Sequence, residues 1–131
     1  MTKSGILNPE LIKAVASCGH TDYVVIGDSG LPIPEGPKVI DLSLVRGIPK
    51  FTDVLKAVEN ELVVESYMLA KETDEVSPDL GKEIKEIMGD KPCKAITHEE
   101  LKKLSANAKY VIRSGEVTPY ANIVLVCGVN F

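Results

Sequence analysis

The sequence predicts an α/β fold in which helices layer both faces of a mostly parallel or mixed sheet, an α/β/α arrangement within one domain spanning residues 1–131. Three observations carry this expectation. Short β-branched runs such as Tyr23–Ile26 and Tyr110–Arg113 have the length and composition of buried strands. Between such runs stand segments with apolar residues at helical spacing, and several open on a start signal: Asn8-Pro9, Ser77-Pro78, and Thr97 followed three residues later by Glu100. A chain of 131 residues with 44% hydrophobic content also suffices for one core, since about two thirds of the unfolded surface is lost at this size.

The first helix takes Asn8 as its N-cap and Pro9 as its first residue, with Leu11, Ile12 and Val15 as the apolar stripe. Gly19 is expected in the left-handed conformation just past its end, which places His20 beyond a helix C-terminus. The strand Tyr23–Ile26 stops at Gly27-Asp28-Ser29-Gly30, so Asp28 lies at its carboxyl end. Three prolines and a glycine make Leu31–Pro37 an irregular loop, of the kind that binding segments use. Val39–Leu42 reads as a short strand, and Phe51–Glu59 as a helix through Phe51, Val54, Leu55 and Val58. Leu62–Ala70 is the next strand. Leu80, Ile84, Ile87 and Met88 then form an amphipathic helix ending at Gly89, and Thr97–Glu100 caps a further one with Leu101 and Leu104 facing the core. The strands Tyr110–Arg113 and Asn122–Val126, joined through Gly115–Tyr120, close the chain.

Composition narrows the function classes. Fifteen Lys and Arg against nineteen Asp and Glu give a net charge of -4, the wrong sign for gripping a phosphate backbone, so nucleic acid is not an expected partner. No apolar run approaches the roughly 18 residues of a membrane helix, and the N-terminus lacks the long apolar segment of a signal peptide. A cytoplasmic protein with no membrane partner is expected. Cys18, Cys93 and Cys127 are odd in number and form no CxxC pair, which argues for buried or semi-buried thiols and against a disulfide framework or metal site. Neither GxGxxG nor GxxxxGK[ST] occurs. Gly27-Asp28-Ser29-Gly30 matches the tetrapeptide around the nucleophile of chymotrypsin-like proteases, but the alternation of helices and strands does not fit their two β-barrels.

Chemistry must therefore come from individual side chains. The chain has only two histidines, and His is the side chain that titrates near neutrality unaided. Helix-end fields favour a protonated ring at His20 and a neutral one at His98, a division that suits one acid and one base. Each also has a local reading: His20 as a cap for loose carbonyls, His98 as a polar first-turn residue. Asp28 is either a turn-forming Asx residue or a polyol-binding acid, because ligands of open α/β sheets sit beyond the carboxyl ends of strands. Tyr120 and Asn122, two apart at a strand start, are expected on one face, where a phenol and an amide offer sugar hydroxyls both donors and acceptors. Their alternatives are an edge-strand aromatic and a loop-end polar residue.

Taken together, Gly5-Ile6-Leu7-Asn8, Gly19-His20-Thr21-Asp22, Asp28-Ser29-Gly30-Leu31-Pro32, Asp41-Leu42-Ser43-Leu44, Thr97-His98-Glu99-Glu100, Val111-Ile112-Arg113-Ser114-Gly115-Glu116, Thr118-Pro119-Tyr120-Ala121-Asn122 and the ending Gly128-Val129-Asn130-Phe131 run the length of the chain. With these motifs the sequence resembles the D-ribose pyranases, or ribose mutarotases, and less closely the fucose mutarotases. Thr73–Lys94 departs from the pattern and reads as a tolerant surface helix and loop. The resemblance implies a cytoplasmic enzyme without a cofactor that interconverts the pyranose and furanose forms of D-ribose. It implies His20 as proton donor, Asp28, His98, Tyr120, Ala121 and Asn122 as substrate-binding positions, and a homo-oligomer, a decamer of two pentamers, with sites near subunit contacts.

Ring opening of a cyclic hemiacetal needs a proton delivered to the ring oxygen and another removed from the anomeric hydroxyl, after which a different hydroxyl closes the ring. Positioned acid and base groups contribute about 10² to 10⁴ in rate to such a step. The resemblance assigns His20 as the acid; the base is not identifiable from the sequence. A mutarotase of another monosaccharide such as fucose, and a sugar-binding protein without catalysis, are the competing expectations. The almost uncharged tail from Asn122 to Phe131 needs cover, either in the chain's own sheet or against a neighbour.

Overall fold

The computed structural model describes residues 1–131. Its elements in chain order are α1 (Pro9–Ser17), β1 (Tyr23–Gly27), β2 (Lys38–Asp41), α2 (Phe51–Glu59), β3 (Val64–Ala70), α3 (Lys71–Val76), α4 (Pro78–Met88), β4 (Cys93–Ile96), α5 (His98–Ser105), β5 (Tyr110–Arg113) and β6 (Ile123–Cys127). All six strands join one sheet in the order β2-β5-β1-β6-β3-β4. β1, β2 and β5 run parallel, as do β3 and β4, while β6 lies antiparallel between β1 and β3. Five strands thus point one way and the central β6 the other.

The expected layers are present and unequal. Alternation along β1 sends Val24 and Ile26 to one face and Val25 to the other. On the first face, twenty-three buried residues unite Leu11 and Ala14 of α1, Val54, Leu55 and Val58 of α2, and Leu80, Ile84 and Met88 of α4. On the second, nine gather around Leu101 of α5, with Leu31 from the proline-rich loop.

Local signals act largely as expected. The Asn8 side chain accepts a hydrogen bond from Leu11 N at 3.0 Å. Thr97 and Glu100 bond each other's backbone N–H at 3.1 and 3.0 Å, a complete capping box for α5. α2 is started partly from outside itself: Phe51 N donates to Glu116 Oε1 at 3.1 Å.

Several expectations need correction. The left-handed residue after α1 is Thr21, φ 70, not Gly19; Gly19 N instead donates to the Asp22 carboxylate, and that turn fixes its backbone. β3 begins at Val64, because Val63 is already exposed while Leu62 packs into the core. α3 and β4 carry no strong pattern in sequence. α3 is six residues long, and β4 is a sheet-edge strand with only Ile96 buried. That edge leaves Cys93 exposed, whereas Cys127 is buried and Cys18 half-buried; all three thiols are free. The tail is mostly covered by its own sheet, since Ile123, Val124, Leu125 and Cys127 are buried in the central strand. Its last three residues are not: Val129 and Asn130 are exposed, and Phe131 is 99% exposed.

Candidate active site

The strand directions gather the carboxyl ends of β1, β3, β4 and β5 and the amino end of β6 at one edge of the sheet. Asp28 follows β1, His98 opens α5 just after β4, and Asn122 immediately precedes β6. Asp28, Gly30, Leu31, Pro32, His98, Pro119 and Tyr120 enclose a pocket of about 290 Å³, at the small end of the range for small-molecule sites. Four candidate residues are therefore brought together by topology, although 94 residues separate Asp28 from Asn122.

Asp28 and Asn122 form a reciprocal pair. Asp28 N donates to Asn122 Oδ1 at 3.0 Å, and Asn122 Nδ2 donates to Asp28 Oδ2 at 3.1 Å. The other carboxylate oxygen accepts from Gly30 N at 2.9 Å, so the Asx-turn reading of Asp28 holds together with its place in the pocket. Gly27 makes the pairing possible, since a Cβ there would sit 2.7 Å from Leu31 Cδ2 and 3.0 Å from Asn122 Oδ1. Asn122 is fully buried, so it sits behind Asp28 and orients the carboxylate. Ala121 is likewise fully buried among core side chains and does not line the pocket.

His98 and Tyr120 form the facing wall. Their rings meet edge-to-face, with centroids 5.0 Å apart and planes at 82°, a favoured aromatic geometry. His98 Nδ1 is buried without a protein hydrogen-bond partner, and a buried ring nitrogen of this kind calls for a ligand hydroxyl or water. The His98 backbone N–H donates to Glu72 Oε2 at 2.7 Å. Tyr120 is not on β6 and does not share a strand face with Asn122, contrary to the expectation from their spacing. It sits in a turn at φ 61, with its carbonyl accepting from Asn122 N at 2.9 Å. The left-handed conformation costs a non-glycine residue about 1–2 kcal/mol and is held here from outside. Thr73 Oγ1 donates to Tyr120 O at 2.9 Å, and Ser77 Oγ to Pro119 O at 2.8 Å. Thr73 is fully buried, so the segment from Thr73 onward is not uniformly tolerant, as the sequence suggested. No local periodicity marks Glu72, Thr73 or Ser77, because their partners lie 26 to 47 residues away.

His20 lies at the other edge of the sheet. Thr21 N donates to Cys127 O and Cys127 N to Asp22 O, both at 2.9 Å, which ties the segment beside His20 to the carboxyl end of β6. With β1 spanning the sheet between them, Asp22 and Asp28 are roughly 20 Å apart at about 3.3 Å per residue. His20 caps no helix carbonyl, because α1 ends three residues earlier, beyond the reach of a terminal-turn field. Its Nε2 lies 3.0 Å from Glu65 Oε2, an ion pair when the ring is protonated. A bulge between Val64 and Ser66 aims Glu65 outward, and Gly128, where a Cβ would sit 3.2 Å from Glu65 Cβ, leaves room for it. With Nε2 engaged, Nδ1 is the nitrogen left for a ligand. His20 lines a cavity of about 400 Å³ of mixed polarity with Val15, Cys18, Glu61, Cys127 and Phe131. There the contact between the two thiols holds Cys18 below the usual thiol range and, with burial, pushes Cys127 above it.

Residues 1–130 match the RbsD / FucU transport protein family. Over 131 residues the chain is 55% identical to D-ribose pyranase of Geobacillus thermodenitrificans, covering all of this chain and 99% of that one. It is 52% identical to D-ribose pyranase of Clostridium botulinum, with both chains fully covered. Among solved structures, Bacillus subtilis RbsD complexed with D-ribose is similar along the whole of both chains, with a TM-score of 0.96 and 44% identity. The fucose mutarotase of Streptococcus pneumoniae in complex with L-fucose shares the fold, with a TM-score of 0.79 and 23% identity over 95% of each chain.

Proposed function

The chain belongs to the RbsD / FucU transport protein family, and on that footing we propose that it acts as a D-ribose pyranase, interconverting the pyranose and furanose forms of D-ribose. The observation that carries this reading is the pocket at the carboxyl edge of the sheet. A carboxylate fixed by Asn122, a buried and uncommitted imidazole nitrogen and a phenol converge there, in a chain alike over its whole length to a protein solved with D-ribose.

In the proposed chemistry, Asp28, His98 and Tyr120 hold the sugar hydroxyls, Ala121 ties Tyr120 to Asn122 behind the pocket, and Asn122 acts through Asp28. His20 delivers the proton to the ring oxygen, opening the hemiacetal, and a hydroxyl-binding group or a water takes the anomeric proton. Rotation of the open aldehyde brings a different hydroxyl to the carbonyl, and reversal of the proton movements closes the other ring. These steps use binding groups, one acid and one base.

His20 and the pocket occupy opposite sheet edges, so we propose that His20 of one copy completes the pocket of a neighbour in a homo-oligomer, a decamer of two pentamers. The exposed Phe131 beside His20 offers that neighbour an apolar contact. Placement in the cytoplasm belongs to the same proposal; no helix of the structure is long and apolar enough to cross a membrane.

Magnetization-exchange NMR on ribose and on fucose, with and without catalytic amounts of protein, tests the reading. Faster exchange between the ribose ring forms is the expected result. Preferential acceleration of fucose would replace it with a mutarotase of that sugar, and sugar binding without acceleration would leave a binding protein.

A further inference from the structure

The two walls of the pocket come from distant parts of the chain: His98 from the start of α5, Pro119 and Tyr120 from the turn before β6. One short segment, the α3 turn and its end, touches both. Glu72 Oε2 accepts from His98 N at 2.7 Å, Thr73 Oγ1 donates to Tyr120 O at 2.9 Å, and Ser77 Oγ donates to Pro119 O at 2.8 Å. α3 follows β3 without a break, so these three residues are anchored to the sheet itself.

We propose that Glu72, Thr73 and Ser77 form a brace of positioning residues that sets the edge-to-face contact of His98 with Tyr120 and, through it, the affinity for the sugar. Two features support this over a general structural role. Tyr120 occupies a left-handed conformation that an aromatic residue rarely adopts alone, and its carbonyl meets two donors, Thr73 Oγ1 and Asn122 N. Thr73 is fully buried, yet its hydroxyl is spent on that carbonyl and on no group of its own helix. A residue wanted only for filling space there would be better served by valine, which has the same shape and no hydroxyl to satisfy.

The sugar role rests on the pyranase reading; the contact between the rings does not. Thr73→Val keeps volume and removes the donor, and Thr73→Ser keeps the donor. Because the brace bonds neither His20 nor Asp28, its loss should raise KM for ribose exchange about five- to tenfold with kcat within about twofold. Thr73→Ser should stay near the parent. Independently of any sugar, the ring-current shift that Tyr120 imposes on the His98 ring protons should shrink in Thr73→Val and persist in Thr73→Ser. If Thr73→Val does not fold, Ser77→Ala is read in the same way.

Unmoved His98 shifts in a folded Thr73→Val or Ser77→Ala protein would overturn the brace. So would a fall in kcat with KM unchanged, or Thr73→Ser behaving like Thr73→Val. A parent protein without ribose exchange, but with His98 shifts that follow Thr73, would overturn the pyranase reading and leave the brace standing.

Discussion

Asn122 is fully buried and bonded twice to Asp28, so its replacement acts on the carboxylate before it acts on any ligand. Asn122→Ala strands the Asp28 amide and frees its carboxylate, which should cost about 1–3 kcal/mol of stability and weaken ribose binding; urea titration and ribose titration read the two losses. Asn122→Asp should be worse than alanine at pH 7, because it sets a second carboxylate against Asp28 in a confined site. His20 is the opposite case. Its side chain is 53% exposed and its one polar contact is with Glu65, so His20→Ala should shift stability by no more than about 0.5 kcal/mol. The same substitution should abolish ribose exchange, and an exchange rate equal to the parent's would remove His20 from the mechanism.

At the scale of elements, Glu116 joins the pocket edge to α2. Burial alone would raise its pKa, but donors from Phe51 N, the Thr118 hydroxyl and amide, and Val117 N outweigh it and hold the carboxyl below the usual glutamate value. A carboxyl lowered in the folded state stabilises fully above its unfolded pKa, and that contribution is lost as pH falls through the folded value. Glu116→Gln keeps an acceptor for Phe51 N and removes the charge. The parent should exceed the variant in stability at pH 7, and the gap should close as pH falls below about 4; denaturation midpoints across pH check it. A similar dependence on a neighbouring element holds β1 in place, because Gly27 must lack a Cβ for Asn122 to approach. Gly27→Ala should therefore lower ribose affinity although Gly27 does not line the pocket.

For the whole molecule, the proposed chemistry requires two edges of one sheet to serve one reaction. A reversed central strand puts the start of β6 beside Asp28 and its end beside the His20 segment. Within one chain His20 and the Asp28 pocket do not meet, and under the proposed chemistry a head-to-tail contact between copies is the arrangement that joins such unlike surfaces. Inactive His20→Ala protein mixed with weakly binding Asn122→Ala protein, after dissociation and reassembly, should at low ribose show more exchange activity than the two proteins kept apart, since about a quarter of the sites in an evenly mixed assembly pair two intact halves. Mixed assemblies that form and show no gain would reject the shared site, and a monomer with full activity would reject the oligomer.

Local chemistry was legible in the sequence wherever a signal and its effect lie within one turn or strand. Asn8-Pro9 and the Thr97–Glu100 box mark real helix starts, and the run before Gly27 is a buried strand. The order of such signals was enough for the α/β class, and the spread of short motifs for the family. The pocket residues were legible as types, an acid after a strand and a histidine at a helix start, because those positions follow from element order. Which of them meet was not. Tyr120 looked like a strand residue since its left-handed turn is held by Thr73 and Asn122, and the brace was invisible since its partners lie far along the chain. The separation of His20 from Asp28 depends on β6 entering the middle of the sheet in reverse, a choice made by the packing of strands against each other and written in no single segment.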